Sequence, residues 1–439
     1  MASEIKKSRL IVCAHAVYPD TPSSEGIVNK NWLAILQDHE LNCTLISAAT
    51  TIAVVKDSMP KTYQSRYLAF LWQLFLAPKT SVHGLLYKVM NKIAIKLGWL
   101  PKRVSLYFYL WSKANKKRLL LALMHRTDLV VWARVISTFS LLPVLAAWKK
   151  KPFPLIINVN DPIENYFHEV LSLEEKLFLK TRNKAQCWTF PSKDLAIEVA
   201  KKFDLDTNRC FVIPHAMRKQ EQLYLGPKDK DKKLNFIYTG TFYKTAFSDA
   251  FKKDLKKFSK SALSEQVTFT FILSQFDDYA LQWIKNTLPS ASIKTKLARE
   301  AVLQITAKAD CMIVTDAQHH KALLKGKLIE AIAQGTPIFA VTYQNSVMDR
   351  VVTEYGCTPA YQDINHDVYE KLVALTQNLK KQEWCDSFFE KRKNIMQKIS
   401  EENIAKTSLT IMEYAQNRFS WQQGQTNSEP IPPSDYNWP

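Results

Sequence analysis

Short apolar runs alternate with segments whose apolar residues fall at helical spacing along most of this chain, and that alternation narrows the possible folds more than any other feature. The opening "SRLIVCAHAVYP" is an apolar run broken at His15 and Pro19, "GIVNKNWLAILQDHEL" has helical spacing, and "NCTLIS" is apolar again. The pattern resumes with "DLVVWA", "PLIINVN", "QCWTF" and "CFVIP", each followed or preceded by a helical segment. It stops near residue 214 and restarts with "LNFIYTG", "VTFTFIL", "ASIK", "DCMIVTD" and "PIFAVT". Strands alternating with helices predict parallel sheets covered on both faces. The expected fold is α/β: two tandem doubly wound, Rossmann-like domains facing a cleft at the carboxyl ends of their strands.

A chain of 439 residues is too long for one core and suits two domains. The expected division is an N-terminal domain over 1–214, a polar linker over 215–233, a C-terminal domain with closing helices over 234–420, and a proline-rich tail over 421–439. The seven cysteines are far apart and show no metal-ligand spacing, which fits a reducing compartment. "MASEIKKSRL" has no apolar region after its charges, so no signal peptide is expected. Residues 129 to 148 form the longest apolar span, but Arg134 interrupts it and a strand, turn and helix is the expected outcome.

Charge is distributed unevenly. Lys and Arg number 60 against 41 Asp and Glu, and no acidic residue lies between Asp57 and Asp128. Within that interval lysines and arginines are interleaved with "YLAFLWQLFL", "GLLYKVM" and "VSLYFYLW", which predicts a helical insertion over about 58–127. Cations beside Trp, Tyr and Leu suit an anionic membrane surface, met by residues about 61–120. A solvated helical pair packed into the fold and a base-stacking nucleic-acid surface are the competing accounts, and no nucleic-acid motif supports the last.

Only 9 residues are glycine, yet two of them bracket "KGKLIEAIAQGTPIFAV" at 325–341. Gly326 opens a helix where the backbone passes close to a ligand, Gly335 closes it, and Pro337 starts the next strand. Lys327 and Glu330 are three apart and share a helix face. A lysine at a helix N-terminus attracts a diphosphate, and a carboxylate accepts hydrogen bonds from the vicinal hydroxyls of a ribose. The plain alternative is a surface ion pair of little energetic weight.

"KGKLIEAIAQGTPIFAV" resembles the nucleotide-sugar signature of GT-B fold glycosyltransferases, close to family 4. "YPDTPSSEGIVNKNWLAILQDHELNCTLIS", "CWTFPSKDLA", "VIPHAM" and "FIYTGTFYK" are similar to further segments of that family, in the right order. The resemblance implies that Glu330 binds the ribose, Lys327 the diphosphate, and Gly240 and Thr241 the phosphate or sugar, with Gly326, Lys244 and His319 nearby. It further implies that Asp161 and His15 face the reaction, with Gly26 and Arg134 on the acceptor side. Position 322, where the family often has a second acid, is Ala322.

The reaction so implied is transfer from a nucleotide-diphosphate sugar to a lipid-linked or membrane-associated glycan, with retained configuration. Neither a metal nor a further cofactor is expected, because cations can meet the charge of the departing diphosphate. The run "DKD" at 229–231 fits a solvated linker. A cytoplasmic protein on the inner face of the membrane, without a nucleic-acid partner, is the corresponding expectation. A sugar-nucleotide epimerase or hydrolase, or a basic protein that binds nucleic acid or an anionic surface, are the rivals.

Overall fold

The computed structural model describes residues 10–17, 23–41, 43–47, 53–56, 59–60, 66–100, 105–124, 128–135, 140–163, 171–215, 218, 223–226, 232–242, 244–274, 276, 278–295, 297–433 and 438–439. The "DKD" run and Pro19 lie outside them. The chain divides into two compact units, residues 1–214 with 404–438, and residues 215–403 with 439.

The first unit is built on β1 (Leu10–Ala14), α1 (Ser24–Asp38), β2 (Cys43–Ile46), β3 (Ala53–Lys56) and β4 (Met59–Pro60), then α2 (Arg66–Leu76), α3 (Val82–Lys96) and α4 (Leu106–Met124). It continues with β5 (Val130–Val135), α5 (Leu141–Trp148), β6 (Leu155–Val159), α6 (Leu171–Leu179), β7 (Cys187–Phe190), α7 (Lys193–Phe203) and β8 (Cys210–Val212). Its sheet has the order β4-β3-β2-β1-β5-β6-β7-β8. β2, β1, β5, β6, β7 and β8 run parallel, whereas β3 pairs antiparallel with β2 and with β4. These two short edge strands are a departure from the expected alternation; β3 precedes the basic insertion, and β4 lies at its start, ahead of the helical trio α2, α3 and α4. Residues 129 to 148 are indeed divided between β5 and α5, and among the described residues no helix is long and apolar enough to cross a membrane.

The second unit contains β9 (Leu234–Gly240), α8 (Asp249–Phe258), β10 (Val267–Leu273), α9 (Asp278–Thr287), β11 (Ser292–Thr295), α10 (Arg299–Thr306) and β12 (Cys311–Thr315). It then runs through α11 (Gly326–Ala333), β13 (Ile338–Thr342), α12 (Val347–Glu354), β14 (Ala360–Tyr361), α13 (Asp367–Asn378) and α14 (Gln382–Lys398). All strand pairs are parallel, in the order β11-β10-β9-β12-β13-β14. β12 and β13 are almost wholly buried, as strands covered on both faces must be. One side of the sheet closes over an aromatic core in which Phe247 and Phe251 pack edge-on or tilted against Trp283.

The last helix, α15 (Glu401–Gln422), was expected with the second domain, but from Ile404 onward it belongs to the first unit. Its inward residues explain why: Ser408 Oγ accepts the Trp32 indole N–H at 3.0 Å, and Tyr414 meets Phe211 edge-on. The expected linker also has a fixed partner, since Tyr224 donates its N–H to the Gln334 carbonyl at 3.0 Å and accepts from Arg392 at 2.8 Å.

Arg392 donates to the Gly335 carbonyl at 2.6 Å as well, directly below the end of α11. Gly335 has φ +67°, and a side chain there would run into that guanidinium. Gly335→Ala is expected to cost about 1 to 2 kcal/mol from the left-handed backbone alone, with more from displaced Arg392. Equilibrium denaturant unfolding measures it.

Candidate active site

The second sheet reverses its winding beside β9: β10 and β11 lie on one side, and β12, β13 and β14 on the other. In a doubly wound sheet this reversal opens a crevice at the carboxyl ends of the two central strands. β9 ends in Gly240 with φ +111°, a conformation that side chains disfavour. A methyl group at Gly240 would occupy the space taken by the Lys327 ammonium. Lys327 reaches that space from the first turn of α11, donates to the Thr239 carbonyl, and has its Nζ 5.2 Å from the centre of the Tyr238 ring. Burial pulls its pKa down from 10.5 to about 7; Glu330 opposes that fall, and the nearby Arg299 and Lys325 add to it.

The helix is short and is held by Leu328, Ile329, Ala331 and Ile332, all buried. Gly326, its first residue, has open space where a side chain would stand. The first N–H groups of a helix have no carbonyl partner within it, so this end favours an anion. One turn on, Glu330 is 5 % exposed. Its Oε2 meets Arg299 at 3.0 Å, while its Oε1 is buried with no hydrogen-bond partner among the described residues. An oriented carboxylate with one unused oxygen can accept from a hydroxyl, and leaving that oxygen unbonded is costly. The ion-pair partner of Glu330 is thus Arg299 from α10, and neither Lys327 nor Glu330 forms the exposed pair that spacing alone allows.

Asp316, immediately after β12, is fully buried. It accepts the Ala317 N–H at 2.9 Å and lies 3.2 Å from Lys325, whose ammonium is also 3.1 Å from His320 Nδ1. Burial raises the Asp316 pKa and lowers that of His320 to about 3, with Lys325 pushing His320 the same way. This arrangement fastens the loop that leads into α11. Ala322, on that loop, is buried and apolar.

Of the remaining candidates in this unit, Thr241 follows Gly240, with its carbonyl bonded to the Tyr238 hydroxyl at 2.6 Å and its own hydroxyl 3.3 Å from Ser274. Lys244 is exposed and lies 4.9 Å from the Tyr279 ring centre. His319 is exposed, with its ring 4.1 Å from that of His320.

In the first unit the winding reverses between β1 and β5. Arg134, near the end of β5, is buried; its Nε donates to Asn29 Oδ1 and its guanidinium lies 4.5 Å from the Trp32 ring centre. Gly26 donates its N–H to the Ser23 cap at 3.0 Å, which starts α1 and turns Glu25 inward. Both Glu25 oxygens accept from Asn160 Nδ2, at 2.7 and 2.9 Å. Burial raises the Glu25 pKa to about 7; Arg134 opposes the rise and Asp161, exposed just beyond Asn160, adds to it. Arg134, Gly26 and Asp161 therefore surround one buried carboxyl group. His15 differs. It is enclosed by Trp72, Tyr107, Phe108 and Trp111, with ring centres 4.8 to 5.8 Å away. Burial lowers its pKa to about 3, so at neutral pH it is an uncharged ring in an aromatic box and not a group set up to carry a proton.

Sequence patterns did not single out Glu25, Asn29, Asn160, Arg299, Asp316 or Lys325. Asp316 ends the strand motif "DCMIVTD", and Glu25 adjoins Gly26 in "SEGIV", so both had a positional signal; Arg299 had none.

The raised Glu25 pKa links folding to pH. Relative to an unfolded value near 4.5, the folded chain takes up a proton between pH 4.5 and 7, so the stabilisation is complete below 4.5 and is lost as pH rises through 7. Glu25→Gln is expected to flatten the pH dependence of unfolding free energy across that window. Thermal unfolding of both proteins from pH 5 to 8 tests this.

No family model matches the chain, and no curated protein matches it. Among solved structures, it is similar to TarM at 14% identity, with 69% of this chain on 58% of that one and a TM-score of 0.54. The chain thus spans 58% of TarM's length. It is also similar to an E. coli structure described as trehalose-6-phosphate bound with UDP-2-fluoro glucose, at 12% identity, 92% and 99% coverage and a TM-score of 0.59. A third likeness is to alpha,alpha-trehalose 6-phosphate synthase from Burkholderia multivorans, at 12% identity, 95% and 100% coverage and a TM-score of 0.57. At these identities the likeness is one of fold: two Rossmann-like units of the GT-B type.

Proposed function

We propose that this chain is a glycosyltransferase that moves a hexosyl group from a nucleotide-diphosphate sugar to a lipid-linked or membrane-associated glycan. The observation that carries the proposal is the site at the β9–β12 reversal, where Lys327 and the start of α11 stand one helical turn from a buried Glu330 oxygen that has no hydrogen-bond partner among the described residues. A nucleoside diphosphate matches both needs: anionic phosphate for the first, ribose hydroxyls for the second. The solved neighbour with UDP-2-fluoro glucose supports a nucleotide-sugar donor, and a TarM complex with fondaparinux, alpha-GlcNAc-glycerol and UDP supports a glycan acceptor.

In the proposed reaction the bond between the anomeric carbon and the diphosphate oxygen breaks, the diphosphate keeps the electron pair, an acceptor hydroxyl oxygen bonds to that carbon, and the proton of that hydroxyl passes to the departing diphosphate. Lys327, Lys244 and the N–H groups of α11 meet the charge growing on the departing phosphate, so the step requires no metal. Retention of configuration follows from the resemblance to family 4. On the acceptor side, the proposal assigns Arg134, Gly26 and Asp161. The enzyme would work in the cytoplasm, on the inner face of the membrane, reaching its acceptor through the basic insertion.

Glu330→Ala is expected to remove sugar-nucleotide turnover, with a loss on the order of a hundredfold or more, while leaving the unfolding midpoint within a few degrees. Donor consumption followed by mass spectrometry reads it, and undiminished turnover would refute the site. Equal donor consumption with and without membrane lipid extract would point to a hydrolase or epimerase instead.

A second expectation concerns pH. Free Lys327 titrates at about 7, and a diphosphate favours its charged form, so UDP binding takes up a proton above that pH. Affinity for UDP should fall by up to about tenfold per pH unit above 7, and Lys327→Met should abolish the slope. Calorimetry in buffers of differing ionisation enthalpy measures both.

A further inference from the structure

The helix α3 is turned inside out relative to an ordinary surface helix. Val82, Leu85, Leu86, Val89, Ile93 and Leu97 recur at helical spacing and all of them face solvent, with Val82 80% exposed and Val89 54% exposed. The opposite face is the anchored one. Gly84 packs directly on the Pro78 backbone, the Tyr87 hydroxyl accepts the Tyr107 N–H at 3.1 Å, and Asn91 accepts the Leu106 N–H at 2.7 Å. These contacts tie α3 to the start of α4, so its orientation is set by polar bonds that rotation would break.

Soluble proteins rarely leave a continuous apolar stripe uncovered. Lys88, Lys92 and Lys96 run along one edge of this stripe, all exposed. Trp99, just beyond the helix, is 67% exposed. No acidic residue lies between Asp57 and Asp128. A second copy of the same surface would bring lysines against lysines, and an aliphatic stripe offers nothing for a nucleic acid to stack on. An anionic bilayer interface satisfies both halves: acyl chains for the stripe, headgroup phosphates for the lysines, and a tryptophan at the boundary.

We propose that the outward face of α3 inserts into the interfacial layer of an anionic phospholipid membrane, lying in its plane. This deepens the membrane-acceptor part of the proposed function and rests on it for biological purpose, but not for the binding itself. The apolar stripe supplies the insertion, and Lys88, Lys92 and Lys96 supply selectivity for negative headgroups.

Co-flotation of the full chain with vesicles of phosphatidylglycerol and phosphatidylcholine tests the proposal, with phosphatidylcholine vesicles alone as the second arm. Wild type is expected to float with the anionic vesicles, and the part of its tryptophan emission that Trp99→Phe removes to shift to the blue and be quenched by brominated acyl chains. The double variant Val89→Glu, Ile93→Glu should lose binding by roughly tenfold or more. Because both side chains are exposed, its circular dichroism and unfolding midpoint should match wild type. The triple variant Lys88→Ala, Lys92→Ala, Lys96→Ala should lose the preference for anionic vesicles while keeping the fold. Unchanged flotation of the glutamate variant, binding to single-stranded RNA but not to vesicles, or a dimer in light scattering that the glutamate variant disrupts would each overturn the proposal. UDP-induced thermal stabilisation, measured in the same variants, reports on the donor site separately.

Discussion

A lysine ammonium placed where a glycine has no side chain is the contact around which the candidate site of the second unit is arranged. Gly240 ends the central strand in a backbone conformation that excludes most residues, and the vacated volume admits Lys327 from the first turn of α11. Burying a cation is costly, which is why its proton is loosely held, and structure that keeps such a group in place needs a compensating partner. Glu330, Arg299 and the helix end set the local field, and an incoming anion would relieve it. The same region is stiffened from behind, where Asp316 and Lys325 fasten the preceding loop and Arg392 braces the end of the helix.

The first unit repeats the principle with the sign reversed. Here a carboxyl group, Glu25, is taken out of water at the reversal point between β1 and β5 and is met by Asn160, with Asn29 and Arg134 close by. Both sheets thus gather a titratable group at the one place where their winding leaves room, and both groups have pKa values near neutrality. Groups so tuned are typical of sites that exchange protons or bind charge, although structural networks produce them as well.

Much of this architecture could be read in the sequence for a simple reason: strands buried on both faces must be apolar throughout, so "VTFTFIL", "DCMIV" and "PIFAV" announce themselves. Gly335 was legible for a similar reason, since a helix that ends into a strand calls for a left-handed residue. What could not be read were relations without a local pattern. β3, β4 and β14 are too short to show alternation, and Arg299 acquires its meaning only when α10 is laid beside α11. The role of His15 came only from the resemblance to family 4; the four rings around it come from helices far along the chain. Glu25 had a positional signal beside Gly26, but that signal does not distinguish a carboxylate at a helix start in water from one folded into the interior.

The return of α15 to the first unit bears on how the molecule is made. Trp32 is bonded to Ser408, 376 residues further on, so the first unit is discontinuous in sequence and incomplete until the residues of α15 have left the ribosome. The nascent residues 1–214 must wait with part of their apolar surface uncovered while the intervening unit, contiguous over 215–403, can collapse as it emerges. Contacts of such long separation slow folding. A stop codon just before α15 would therefore damage the first unit, which residues 215–403 separate from it, and spare the second, which directly adjoins it.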